Sequence, residues 1–207
     1  MAIEASPALC AAAFAAIERK LSISPPSSLA ALPEAQAPVF VTLKTSNGNL
    51  RGCIGTFAAG PLASVVPSYA ERAAFSDQRF KPLSKNELAG LQCTVSVLHS
   101  FERVEKWDDW CVGQHGVRIT GEAKSQRFSS TFLPKVATEQ GWSRRETMLQ
   151  LLKKAGVPSF PESAWPELNI ERYQHSECSL SYAAYRGDDG VELARSAPNN
   201  GSRCACS

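Results

Sequence analysis

The segment Val39–Phe57, VFVTLKTSNGNLRGCIGTF, decides the fold. Residues 39–45 are mostly β-branched, aromatic or aliphatic, the composition of a half-buried strand. Asn47-Gly48 is a strong hairpin signal, so residues 50–57 return as the partner strand. That second strand is unusual in carrying Arg51 and Cys53 among Gly52 and Gly55. Interior glycine in a strand marks a bulge or the close approach of a ligand or another backbone, which makes the stretch a candidate site.

Working outward, the alanine-rich segment 1–21 reads as a helix, with Ser6 as cap, Pro7 at the first helical position, and Arg19 and Lys20 near the carbonyl end. It lacks the basic start of a secretory leader and carries Glu4 instead. Residues 22–38, rich in proline, serine and alanine, read as a connector. Gly60-Pro61 opens a second helix with Leu62, Val65, Val66, Tyr69 and Ala73 on one face, and Pro67 inside it is expected to bend the axis. LQCTVSVLHS, HGVRIT and QRFSSTF read as strands. Ser143 and Glu146 have capping-box spacing ahead of a helix that Gly156 and Pro158 end. ELNIERYQH is a last strand, and residues 187–207 form a polar, flexible tail. Hairpins outnumber helical crossovers, so the class is α+β with a mainly antiparallel sheet flanked by helices.

The 207 residues are 43% hydrophobic and 20% charged, an ordinary globular composition with no apolar run of membrane length. The net charge of +2 comes from dispersed residues, which gives no basic face for nucleic acid. Seven cysteines, an odd number in a chain of this size, favour reduced thiols and a cytoplasmic location, with the nucleus as second compartment. A zinc site would have to be gathered from scattered Cys53, Cys93, Cys111, His99 and His115, without paired ligand spacing, so neither metal nor cofactor is expected.

In a regular strand Arg51, Cys53 and Gly55 share one face, and Leu50, Gly52, Ile54 and Thr56 the other. The guanidinium then favours a Cys53 thiolate, Gly55 leaves open space beside the sulfur, and the positive end of the helix from Pro61 could add to it. The plainer reading is a buried cysteine, glycines serving a bulge, and Arg51 paired with a structural carboxylate. His115, next to Gly116 at the start of a strand, is the histidine to test as partner of Cys53, against a structural role at that strand end. Asp77 and Arg79, two apart in a turn, can clamp a loop or bind an anion.

LRGCIGTF, AAFSDQRFKPLSKNEL, VGQHGVRI, and TFLPKVATEQGW followed by LLKKAGVP occur in the order that marks the AMMECR domain family, which the chain resembles from about residue 7 to Arg186. The resemblance implies one domain over residues 1–186, built of a larger and a smaller lobe with a cleft between them. It assigns to that surface Arg51, Gly52, Cys53, Ile54 and Gly55 of the signature, Asp77 and Arg79 of DQRF, and His115 and Gly116 of HGVRI. No activity is established for the family. Its microbial members often accompany Memo-like and radical-SAM proteins, and its eukaryotic members are discussed as regulatory or interaction factors.

Two classes of function follow. In the first, the domain binds a protein partner or a small anionic ligand without catalysis, using Arg51 for a carboxylate and the glycines for close backbone approach. In the second it is an enzyme, with Cys53 as nucleophile and His115 as base, acting on a small anionic or peptide substrate. The last four residues, CACS, fit a prenylation frame at Cys204, and a single lipid there would hold a membrane only weakly.

Overall fold

A computed structural model of the chain describes residues 3–27, 29–123 and 125–187. The chain is α+β. Strands β1 (Gln36–Thr45), β2 (Leu50–Pro61), β3 (Leu91–Arg103), β4 (Gly116–Ala123), β5 (Gln126–Phe132) and β6 (Asn169–Ser181) form an antiparallel six-stranded sheet of order β2-β1-β3-β6-β4-β5. Helices α1 (Pro7–Lys20), α2 (Leu62–Phe75), α3 (Pro134–Gln140), α4 (Arg144–Lys154) and α5 (Tyr182–Arg186) complete it. The residues form two compact units, one up to Leu98 and again from Ser176, the other from His99 to His175.

The first unit is built on the β1–β2 hairpin. Gly48 takes φ +79° in its turn, and Gly48 N–H donates to the Thr45 carbonyl at 2.8 Å. A left-handed residue there is what Asn-Gly supplies at little steric cost. Val39, Val41 and Leu43 alternate into a core with Val95 and Val97 of β3, Phe14 and Ile17 of α1, and Leu62, Val66 and Ala70 of α2. α2 runs unbroken through Pro67 and packs on β1, β2 and α1. Ser6 occupies the cap position of α1, but its side chain makes no capping bond; Pro7 alone shapes that start.

β1 begins at Gln36, inside the stretch read as connector, because residue Ala37 already pairs with Gly60 of β2. β6 is longer than the ELNIERYQH reading and leads into α5, a helix too short for apolar periodicity to reveal. α5 is held through a fully buried carboxylate, Glu18, which accepts from the hydroxyls of Tyr182 at 2.6 Å and Tyr185 at 2.7 Å and lies 3.3 Å from Arg186 Nη1. Burial and the carboxylate push the Tyr182 hydroxyl up to about 12.

The second unit has its own core of Val117, Ile119, Met148, Leu151, Leu152, Trp165 and Ile170. α4 carries its capping box: Ser143 N–H donates to Glu146 Oε2 at 2.8 Å, and Ser143 Oγ accepts from Glu146 N–H at 3.2 Å. α3, which sequence periodicity does not reveal, is a seven-residue helix started by Pro134 and ended by Gly141 at φ +68°. Among the described residues no helix is long and apolar enough to cross a membrane.

Candidate functional site

β2 is an edge strand of the sheet, so on its outer side every second N–H and C=O lacks a strand partner. At Cys53 these groups are met by side chains. Cys53 N–H donates to Asp77 Oδ2 at 2.9 Å, and the Cys53 carbonyl accepts from Arg79 Nη2 at 3.1 Å. Asp77 is buried and also accepts from Arg79 N–H, Nε and Nη2, the last at 2.7 Å. The Arg79 guanidinium, aided by the Cys53 and Arg79 N–H groups, holds the Asp77 carboxyl well below the usual carboxylate range against the cost of burial. The pair thus stands where a neighbouring strand's main chain would stand, one acceptor and one donor wide.

The Cys53 side chain faces Thr42 of β1, whose hydroxyl donates to the sulfur at 3.3 Å. A hydroxyl cannot take the thiol proton at neutral pH, so this contact orients the sulfur without activating it. Arg51 is not beside the sulfur. Leu43 pairs with Gly52 and Lys44 with Leu50, which makes Arg51 the extra residue of a bulge and breaks the strict alternation expected for it. Its guanidinium reaches Glu87 instead, Nε to Oε1 at 2.6 Å and Nη2 to Oε2 at 3.2 Å, and Nη2 also donates to the Lys81 carbonyl. That pair, with the Ser84 N–H and hydroxyl, holds Glu87 at about 2. Arg51 and Arg79 both lie over the ring of Phe80, at 5.8 and 5.6 Å from its centre.

The glycines are closely packed. A Cβ on Gly52 would lie 2.1 Å from the Ala73 carbonyl oxygen, so Gly52 is where the last turns of α2 touch the strand. The helix end meeting the signature is therefore its carbonyl end, contrary to the positive end expected to assist a thiolate. Gly55 does not leave open space beside the sulfur either: a Cβ there would lie 2.3 Å from the ring of Phe40, directly across on β1. Ile54, on the opposite face from Cys53, packs against the core of the first unit.

His115 belongs to the second unit, Cys53 to the first. His115 is buried in the loop ahead of β4, where Nδ1 accepts from Cys111 N–H at 3.0 Å and its own N–H donates to the Cys111 carbonyl at 2.9 Å. With the Nδ1 lone pair so used, the neutral ring carries its proton on Nε2 and has no lone pair to spare as a base. Gly116 admits the ring of Tyr173, which a Cβ would meet at 2.4 Å.

Burial, and then the nearby Arg172, lower the His115 pKa, opposed by Glu102 and Asp109. The native state thus resists a proton that the unfolded chain accepts near pH 6.5, so stability falls as pH drops below about 6.5. Urea unfolding of the second unit at pH 7.5 and 5.5 is expected to show this loss, and the His115→Asn variant, which keeps an acceptor without the titration, to lose less.

Cys204 lies outside the described residues, as does the tail from 188 on. Cys10, Cys53, Cys93 and Cys178 are free thiols. Among the described residues no three His, Cys, Asp or Glu side chains are grouped as metal ligands would be. The sequence reading places Phe80 beside Asp77 and Arg79 but misses Thr42, Phe40 and Glu87. Only Glu87 has a local signal, the Ser84-x-x-Glu87 spacing of a capping box.

Comparison with known proteins agrees with the sequence motifs. The AMMECR1 family model matches residues 10–178. An uncharacterized protein of Schizosaccharomyces pombe is 42% identical over 151 residues, covering 72% of this chain and 77% of its own length. One of Arabidopsis thaliana is 41% identical over 162 residues, covering 75% and 76%. The crystal structure of an uncharacterized protein from Pyrococcus horikoshii superposes with a TM-score of 0.67 at 28% identity, covering 83% of this chain and 89% of that one. The match spans both the LRGCIG hairpin and the HGVRI strand, and the chain belongs to the AMMECR1 family.

Proposed function

We propose that the protein is a non-catalytic interaction domain whose recognition surface is the outer edge of β2 with Asp77 and Arg79. The observation that carries this reading is that Cys53 is addressed through its main chain, by a carboxylate on its N–H and a guanidinium on its carbonyl. Its sulfur accepts from the Thr42 hydroxyl. Arg51 serves that surface from behind, fixing the segment 81–87 through Lys81 and Glu87. Beside that matched position the edge continues without a strand partner among the described residues, which suits the binding of another chain, while a sulfur hydrogen-bonded to a hydroxyl gives a nucleophile no base.

The test is quantitative recovery of bound proteins from the chain's own cells, with wild type, Cys53→Ser and Arg79→Ala compared. Cys53→Ser is expected to retain the partner and Arg79→Ala to lose it by tenfold or more. Equal loss in both variants, or a covalent adduct on Cys53 in the recovered protein, would overturn the reading in favour of thiol chemistry.

A further inference from the structure

We infer that the ligand of this edge is the free C-terminus of an extended peptide, added to β2 as an antiparallel strand with its terminal carboxylate on Arg79; this rests on the interaction reading above. Cys53 and Thr42 are opposite each other, and Cys53 N–H turns outward to Asp77, so the alternation of an antiparallel ladder turns the N–H and C=O of Gly55 outward as well. Among the described residues no strand lies on that side. The Cys53–Thr56 stretch pairs regularly with β1 and carries no lysine, proline or inward charge that would guard the edge, whereas from Thr56 to Gly60 the pairing shifts register and Ala58 N–H donates to Thr56 Oγ1 at 3.0 Å, so the open regular edge is short and centred on Gly55. Ala58 and Ala59 are exposed, and the rings of Phe40 and Phe57, edge to face at 5.4 Å, supply an apolar wall beside Gly55.

The Cys53 end of this edge is closed by a cation. Arg79 uses Nε and Nη2 on Asp77 and Nη2 on the Cys53 carbonyl, while Nη1 has no partner among the described residues and the side chain is 55% exposed. Because Nη2 bonds an outward main-chain carbonyl, that end of the guanidinium sits beside the hydrogen-bonding edge of the strand. A terminal carboxylate continues along that edge, whereas an aspartate or glutamate side chain leaves a strand roughly perpendicular to the sheet. With the carboxylate at Arg79, the peptide's last residues run from Gly55 towards Cys53, opposite to β2. Among the residues whose contacts build this end, Arg51, Arg79 and Lys81 outnumber Asp77 and Glu87.

The probe is a pool of randomised synthetic hexapeptides, prepared as free acids, as C-terminal amides, and as amides ending in aspartate, titrated into nitrogen-15-labelled full-length protein. The free acids are expected to shift the Gly55 amide and the Arg79 Nε–H signals, and the amides to need on the order of ten- to a hundredfold higher concentration for the same shift. In Arg79→Ala the acids should fall to the level of the amides, and Cys53→Ser should behave as wild type. Acids and amides shifting Gly55 equally would overturn the carboxylate inference while leaving the interaction surface in place. Aspartyl amides matching the free acids would overturn the free C-terminus. No shift at Gly55 with any pool would overturn strand addition, whatever the partner-recovery experiment shows.

Discussion

Gly52→Ala is expected to destabilise the first unit by about 3 kcal/mol or more, because the added Cβ would fall 2.1 Å from the Ala73 carbonyl oxygen, a contact with backbone that no side-chain rotation relieves. Either α2 lifts from β2 or the strand shifts, and both loosen the packing of Ala70, Ala73 and Ala74 in the core. In a chain of this size that loss lowers the melting temperature by roughly 6–12 °C. Gly48→Ala is the control. Gly48 has nothing within 4 Å of a Cβ and is required only for its φ of +79°, so alanine there should cost about 1–2 kcal/mol. Calorimetry of the two variants separates a close approach from a backbone conformation; equal melting temperatures would show that α2 does not rest on Gly52.

Asp77→Ala is expected to cost about 2–3 kcal/mol and to release the 77–81 segment from β2. The variant removes one buried acceptor and strands the Cys53 and Arg79 N–H groups together with one edge of a guanidinium. The ion pair itself contributes little of this, since the arginine is more than half exposed and its charge is screened. Asp77→Asn keeps the shape and one acceptor and should recover about half the loss. The carboxylate's depressed pKa adds a pH signature: its stabilisation is present above the ordinary carboxylate range near pH 4 and is lost progressively as pH falls below it, and the variant should lack that slope. Urea midpoints against pH for wild type and both variants check this. A wild-type stability that does not fall with acid more steeply than that of Asp77→Ala would remove Asp77 from the account.

The hairpin was legible because Asn47-Gly48 joins two strand-like runs, and α4 because Ser143 and Glu146 announce its start. The antiparallel α+β class and the family followed from the same motifs. What local reading missed was non-local. The Arg51 partner is Glu87, which the chain brings back only after α2, so spacing along β2 could not reveal it. Gly55 looked open because a strand's own sequence does not show that Phe40 of the neighbouring strand lies over it. The bulge at Arg51 broke the alternation that had placed guanidinium and thiol together. Asp77 and Arg79 were recognisable as a clamp, but not as a clamp on main chain, since that depends on β2 being the edge of the sheet.

Hydrogen exchange at single-amide resolution, comparing Cys53 with Gly55, tests most directly that the signature strand acts through its main chain. Cys53 N–H, bonded to Asp77, is expected to be protected and to lose that protection in Asp77→Ala, while Gly55 N–H, two residues on along the same strand, exchanges rapidly at the open edge. A Gly55 amide as slow as that of Ile54, or a Cys53 amide that exchanges freely in the wild type, would contradict the account.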